Sequence, residues 1–208
     1  MWWSDDGGRS YSMAPDFDCE LPKPALNGGC GEREIVELRN SSLLAIIRSD
    51  RGGRKVSALS HDSGVTWVNQ RQTTMQEPSC EGSLMQLDDA AGTLLFAGPA
   101  NARPSDPKLK MGRFDATLWQ STNGGTDWDE GNLLWRNSTW YSGLAVTLPS
   151  PRRLLLCYSS GPGPPDSGSE LNAIHCSRFA VPPPRPAALK TDDQGARLAV
   201  LWKALNED

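Results

Sequence analysis

Ser60-His61-Asp62-Ser63-Gly64-Val65-Thr66-Trp67 is the stretch that decides the fold, because two further copies of it occur in the chain. They are Ser4-Asp5-Asp6-Gly7-Gly8-Arg9-Ser10-Tyr11 and Ser121-Thr122-Asn123-Gly124-Gly125-Thr126-Asp127-Trp128. All three read S-x-[D/N]-x-G-x-x-[W/Y], and they begin at residues 4, 60 and 121. A period of roughly 60 residues suits a four-stranded propeller blade with its loops, and it is too long for most helical repeats.

The repeated residue types are those of a folded turn between two strands. The Asp or Asn side chain accepts hydrogen bonds from nearby backbone N–H groups, the glycine supplies a positive φ, and the aromatic residue packs beneath the turn. We therefore predict a structural role for twelve residues: Ser4, Asp6, Gly8, Tyr11, Ser60, Asp62, Gly64, Trp67, Ser121, Asn123, Gly125 and Trp128.

Short apolar runs separated by turns occupy the chain between the three copies. EIVEL, LLAIIR and KVSAL precede the second copy; GSLMQL, TLLFAG and FDATLWQ precede the third; SGLAVTL, RLLLCYS and NAIHCSRFAV follow it. This order predicts an all-β chain of successive short strands. We expect propeller blades over residues 1–181 and a Pro-rich segment with a tail over 182–208, where ARLAVLWKAL is either a last strand or, preferably, a short helix.

Composition excludes several classes of protein. The 208 residues include 21 Lys and Arg against 25 Asp and Glu, which gives a net charge of −4. This negative balance disfavours general nucleic-acid binding, which requires a basic footprint. No apolar run approaches the roughly 20 residues of a membrane-spanning helix. The 20 Gly and 16 Pro favour short strands with sharp turns.

The cellular compartment stays open at the level of sequence. Five widely spaced cysteines fit neither a dense disulfide scaffold nor a zinc site, and their odd number leaves at least one outside any intrachain disulfide. Asn40-Ser41-Ser42 and Asn137-Ser138-Thr139 satisfy the N-glycosylation rule, although such tripeptides also arise by chance. The N-terminal residues do not have the pattern of a signal peptide.

From Ser4 to about Val181 the chain resembles the sialidases (neuraminidases), whose Asp-boxes have the form of the three repeats. The resemblance implies a six-bladed β-propeller, of which this chain would hold about three to four blades. It also favours a secretory, lysosomal or extracellular location. Asp-box propellers without enzymatic activity exist as well, so the function has to be argued from the site.

Four residues match sialidase site positions. Glu32 lies in CGEREIVEL, which is similar to the N-E-P-x-I-V-E-L segment of the family, and Arg48 ends the following apolar run LLAIIR. Arg113 begins the strand that leads into the third Asp-box, as the next arginine of the family does. Tyr141 lies in YSGL, which matches the Y-S-x-L motif of the nucleophilic tyrosine.

The resemblance implies hydrolysis of terminal α-linked sialic acid from glycoproteins, glycolipids or oligosaccharides, with neither cofactor nor metal. The substrate carries a carboxylate at its anomeric carbon, which repels a carboxylate nucleophile but not the neutral phenol of Tyr141. A phenol is a weak nucleophile at its ordinary pKa of about 10, so Glu32 would act as its base. Arg48 and Arg113 would bind the substrate carboxylate through planar, charge-assisted hydrogen bonds.

The sequence also departs from the family pattern. It has no R-I-P motif with a third arginine and no aspartate acid/base after it, and Ser159 stands where the family tends to have a glutamate. The activity of this chain alone is therefore in question, because it is either part of an active enzyme or an inactive descendant. A non-catalytic propeller that binds glycans or proteins is the alternative. The basic residues Arg51, Arg54 and Lys55 are predicted to form a solvated loop.

Overall fold

A computed structural model describes residues 2–13, 30–49, 53–100, 113–147, 153–161 and 173–180. These residues form β-strands joined by turns, and none of them is helical. The strands are β1 (Trp2–Trp3), β2 (Ser12–Met13), β3 (Cys30–Glu37), β4 (Leu43–Ser49), β5 (Gly53–Ser60), β6 (Val68–Glu77), β7 (Ser83–Gln86), β8 (Leu94–Pro99), β9 (Phe114–Ser121), β10 (Asn132–Val146), β11 (Arg153–Ser160) and β12 (Ala173–Ala180). The predicted tail at 182–208 lies outside the described residues.

The strands pair in the order of the sequence, as in successive propeller blades. Strands β3 to β6 form one four-stranded sheet, and β7 to β12 form a second sheet of six strands. Every pair is antiparallel. The long strand β10 pairs with β9 up to Ser138 and with β11 from Thr139 onward. It therefore leaves one blade and enters the next, and the all-β propeller architecture is confirmed.

Two apolar cores lie between neighbouring blades. The first joins side chains of β4 and β6 to side chains of β7 to β9, and it is centred on Phe96 with Trp119 and Trp128. The second joins the opposite faces of β8 and β9 to β11 through Leu95, Leu154 and other residues. A sheet that is apolar on both faces needs a neighbouring blade on each side. Because β8 contributes to both cores, all six of its residues are buried.

The inner strands of the blades lie side by side. Strand β7 contacts both β3 and β10. The Leu84 N–H donates to Glu34 Oε2 across 3.4 Å, and the Leu144 N–H donates to Ser83 Oγ across 3.0 Å. Strand β7 therefore lies between β3 and β10. Residues at the start of β3 come close to residues of β10 although they are far apart in sequence.

The three Asp-boxes form the same turn. In the second box, the Ser60 hydroxyl donates to Asp62 Oδ1 at 2.8 Å and accepts the Gly64 N–H at 2.8 Å. The first and third boxes repeat these contacts with Ser4, Asp6 and Gly8, and with Ser121, Asn123 and Gly125. The three box glycines have φ values of 86°, 89° and 80°, a region in which other residues are strained.

The aromatic residue of the box differs between copies. Trp128 is buried in the first core, where its ring packs edge-on against Phe96 at 6.4 Å. Trp67 is half-buried and donates its indole N–H to the Gly64 carbonyl at 3.2 Å. Tyr11 lies beside Gly8 but is 63% exposed. Packing beneath the turn is therefore tight in the third box and loose in the first.

Asp62 makes the second Asp-box sensitive to acid. Hydrogen bonds from the Thr66 hydroxyl and the Thr66 backbone N–H lower the pKa of the Asp62 carboxyl from 3.8 to about 2. The stabilisation from the ionised carboxylate is therefore complete above about pH 4 and is lost as the pH falls through about 2. We expect Asp62→Asn to lower the thermal midpoint at pH 7 and the difference from wild type to vanish near pH 2. Asp88→Asn, at an exposed turn, is the matched control and should track wild type throughout.

Candidate active site

Glu32 and Arg48 meet at one end of the first blade. Strand β3 begins where β4 ends, because the hairpin register pairs Cys30 with Ser49. One terminal nitrogen of Arg48 donates to both oxygens of the Glu32 carboxylate, at 2.7 and 2.6 Å. The Arg48 side chain is 19% exposed and that of Glu32 is 41% exposed, so the ion pair is open to solvent on the carboxylate side.

Ser79 connects this ion pair to the second predicted arginine. It lies in the segment between β6 and β7, is buried, and has a positive φ of 57°. Its hydroxyl accepts hydrogen bonds from Arg48 Nε at 3.3 Å and from a terminal Arg48 nitrogen at 3.2 Å. Its carbonyl accepts a hydrogen bond from Arg113 at 2.8 Å. One residue thus holds two cations in place.

Arg113 extends the cluster to Tyr141. Its guanidinium carbon lies 4.5 Å from the centre of the Trp140 ring and 6.0 Å from the centre of the Tyr141 ring. These distances are in the range of cation–π contacts, which hold a guanidinium flat over an aromatic face. Tyr141 is 44% exposed. The structure therefore brings all four predicted site residues together in one continuous set of contacts.

Ser159 supports the backbone of Tyr141. Its hydroxyl accepts the Tyr141 N–H at 3.1 Å and donates to the Tyr141 carbonyl at 3.4 Å. These two bonds lie where β10 changes partner from β9 to β11, and the strand register is irregular there. In this chain Ser159 therefore positions the tyrosine.

Glu32 is held in its ionised form. Partial burial opposes ionisation, but the residue's own backbone N–H, the hydrogen bond from Arg48 and the charges of Arg48 and Arg113 outweigh it. The pKa of the Glu32 carboxyl consequently lies below its ordinary value of 4.5. Within the described residues no hydrogen bond joins Glu32 to the Tyr141 hydroxyl, so the base role stays a prediction.

A buried lysine lies next to Ser79. Lys55 is 2% exposed, donates to the carbonyl of Cys80, and lies 5.3 Å from the centre of the Phe96 ring. The prediction that Lys55 belongs to a solvated loop is wrong, because β5 continues through this residue and directs it inward. Burial and Glu81 raise the pKa of the nearby Glu34 carboxyl, while Lys55 opposes that rise.

Sequence reasoning missed the positioning role of two residues in this cluster, Ser79 and Ser159. Serine is common at turns and strand ends, so neither position carries a local signal. The only hint at Ser79 was its place at the end of the polar run that precedes GSLMQL. Within the described ranges, no three His, Cys, Asp or Glu side chains are grouped as a metal site requires. Nor do those ranges contain a helix with the length and apolar character needed to cross a bilayer.

The class of protein follows from these observations. The described residues form part of an Asp-box β-propeller whose blades bring two arginines, a glutamate and a tyrosine to one end. No family model matches the chain. A curated sialidase of Bacteroides fragilis (strain YCH46) is 26% identical to it over an alignment of 147 residues, and the match covers 64% of this chain and 24% of that relative.

Solved sialidase structures share the fold. The Hadza microbial sialidase Hz136 is 26% identical with a TM-score of 0.56, and the match covers 76% of this chain and 29% of that one. The intramolecular trans-sialidase from Ruminococcus gnavus, in complex with oseltamivir carboxylate, is 18% identical with a TM-score of 0.60 over 86% and 37%. NanB sialidase from Streptococcus pneumoniae, as the K499G mutant, is 20% identical with a TM-score of 0.59 over 84% and 25%.

The chain is thus a partial β-propeller of the sialidase type, and its resemblance to the sialidase family is confirmed in sequence and in fold. It spans less than a third of the length of the curated relative and of Hz136.

Proposed function

We propose that this chain carries part of the active site of an exo-α-sialidase, which hydrolyses terminal sialic acid from glycoproteins, glycolipids or oligosaccharides. The observation that carries the proposal is the anchoring of Arg48 and Arg113 on the two sides of Ser79, with Tyr141 beside Arg113. Two guanidinium groups with fixed positions make a site for a substrate carboxylate. That carboxylate would take over hydrogen bonds of Arg48 that Glu32 holds in the present structure.

In the proposed reaction, the Tyr141 oxygen attacks the anomeric carbon and the glycosidic C–O bond breaks. The phenolic proton passes to Glu32, and an acid from outside the four assigned residues protonates the leaving oxygen. The oxygen of a water molecule then bonds to the anomeric carbon, and the bond between tyrosine and sugar breaks. The water gives its proton to the deprotonated acid and Glu32 returns its proton to Tyr141, so both groups are restored and the configuration is retained. The arginines favour the positive charge of the transition state only indirectly, by orienting the substrate carboxylate next to it.

Removal of either arginine should weaken binding of an anionic sugar. We expect Arg48→Ala and Arg113→Ala each to raise the Kd of N-acetylneuraminic acid or its 2,3-dehydro derivative about tenfold or more, since a charge-assisted hydrogen bond contributes roughly 1.5–3 kcal/mol. The measurement is an NMR titration in which the sugar is added to the whole chain. Arg178→Ala, an exposed arginine of β12, is the matched control and should bind as wild type does.

The same titration can reject the proposal. Absence of saturable binding in a folded wild-type chain would contradict it, as would binding that both arginine variants retain. Binding that depends on the arginines, combined with a lack of hydrolysis in the assay of Tyr141 described below, would instead favour the non-catalytic glycan-binding propeller.

A further inference from the structure

The two N-glycosylation tripeptides occupy very different places in the fold. Asn40 is exposed in the tight turn between β3 and β4, where Ser41 has a positive φ of 62°. Asn137 lies within β10, and the two residues after it, Ser138 and Thr139, are each 1% exposed. The hydroxyl residue of the first tripeptide, Ser42, is buried as well, at 3% exposure. The two tripeptides therefore differ in the asparagine itself, because Asn40 is exposed at a turn and Asn137 is half-buried within a strand.

The turn at Asn40 has a defined hydrogen-bond pattern. The Ser42 hydroxyl donates to Asn40 Oδ1 at 2.6 Å, and the Ser42 backbone N–H donates to the same oxygen at 3.2 Å. The Leu38 N–H donates to the Ser42 carbonyl at 2.7 Å and closes the hairpin. This Asx-type turn pairs the asparagine amide with the hydroxyl two residues later, while Asn40 Nδ2 has no hydrogen bond within the described residues.

The position of Asn40 keeps a glycan away from the candidate active site. Glu32 lies near the start of β3 and Arg48 near the end of β4, whereas Asn40 lies at the turn that joins the other ends. Five residues of extended strand, about 17 Å at roughly 3.3 Å per residue, separate Glu32 from the end of β3 at Glu37, and Asn40 lies in the turn beyond that end. A glycan at Asn137 would instead lie close to the candidate site. Thr139, two residues later in the same strand, donates its N–H to the Arg113 carbonyl.

The cysteines provide an independent observation. Cys157 and Cys176 face each other on β11 and β12 and form a disulfide, and Cys30 is disulfide-bonded as well. Cys80 is a buried thiol. Disulfides form in oxidising compartments, and the lumen of the endoplasmic reticulum is the compartment where asparagines are glycosylated.

We propose that Asn40 is an N-glycosylation site and that the glycan projects from the end of the first blade opposite the candidate active site. The donor is an oligosaccharide linked to a polyprenyl pyrophosphate. A bond forms between Asn40 Nδ2 and the anomeric carbon of the first sugar, the bond from that carbon to the pyrophosphate breaks, and the amide proton is released. Asn137 stays unmodified in the folded protein.

The test directs the full chain into the secretory pathway of mammalian cells with an added signal peptide. Protein from the medium and from the cell lysate is treated with peptide N-glycosidase F in H₂¹⁸O, and peptides are mapped by mass spectrometry. We expect the majority of molecules to carry the ¹⁸O-labelled Asp at position 40, with a mobility shift that Asn40→Gln and Ser42→Ala abolish. Asn137→Gln is the matched control and should leave the shift unchanged.

Two outcomes would overturn the proposal. One is protein that has entered the secretory pathway, whether recovered from the medium or from the cell lysate, and carries no glycan at Asn40. The other is a glycan at Asn137 without one at Asn40. The Ser41→Gly variant keeps the tripeptide, and glycine accepts the positive φ at this position. It should therefore remain glycosylated, which shows that a change in this turn does not abolish the signal through misfolding.

Discussion

Tyr141→Phe is expected to reduce sialoside hydrolysis by at least about 10³-fold, the order of loss found when a covalent nucleophile is removed. The substitution deletes one oxygen atom and keeps the ring, so the contact with Arg113 at 6.0 Å and the backbone bonds to Ser159 persist. Binding of the 2,3-dehydro sugar should therefore change by less than about tenfold, because the arginines supply most of the binding energy.

The measurement is release of 4-methylumbelliferone from its α-sialoside at acidic and neutral pH. It uses this chain and the longest natural form of the protein that contains it. Tyr158→Phe is the matched control, since Tyr158 is 5% exposed and belongs to the second core. If the Tyr141→Phe variant keeps its activity within about tenfold of wild type, Tyr141 is not the nucleophile. Complete inactivity of a folded long form would favour the binding propeller.

Phe96→Ala is expected to destabilise the chain by about 3–5 kcal/mol, the usual range for truncating a fully buried phenylalanine. Phe96 is 1% exposed and lies between two blades, with the ring centre of Trp119 at 5.9 Å and that of Trp128 at 6.4 Å. A net stability of roughly 5–15 kcal/mol is typical of a domain, so this loss should remove much of it.

The variant should also disturb the site. Lys55 lies over the Phe96 ring and bonds to Cys80, the residue after Ser79, so loss of the ring loosens the segment that holds both arginines. Urea unfolding followed by tryptophan fluorescence measures the stability, and NMR titration with the sialic acid derivative measures the site. Ile174→Ala, at a side chain that is 75% exposed, is the control and should cost less than about 0.5 kcal/mol. A change in Phe96→Ala below about 1 kcal/mol would mean that the two blades do not pack as described.

Much of the fold could be predicted because its signals are local. The apolar runs that indicated β4, β8, β9 and β11 are strands whose side chains fill the cores between blades. Strand β6 was missed, because VNQRQTTMQE is polar and has no regular alternation. It pairs with β5 at the edge of its sheet through backbone hydrogen bonds, and Met75 anchors it in the first core. The first half of β10 was also missed, because its apolar run, Leu133-Leu134-Trp135, is short and is followed by polar residues.

The candidate site could be predicted only in part. Resemblance to a family supplied Glu32, Arg48, Arg113 and Tyr141, because those residues stand at recognisable places in their motifs. Ser79 and the burial of Lys55 had no comparable signal. Ser79 contacts Arg48 and Arg113, which are 31 and 34 positions away in the chain. Lys55 contacts Cys80, which is 25 positions away.

By itself, the sequence determined the Asp-box turns, the succession of antiparallel strands and the sialidase type of the propeller. A box turn needs only a side chain that bonds backbone a few residues away and a glycine that accepts a positive φ, so its information is contained in eight residues. Only the tertiary structure decided that one serine anchors two arginines from different blades, and that a lysine in a basic run is buried. Such contacts depend on how blades stack, and stacking results from apolar burial summed over many distant residues, which no short stretch of sequence encodes.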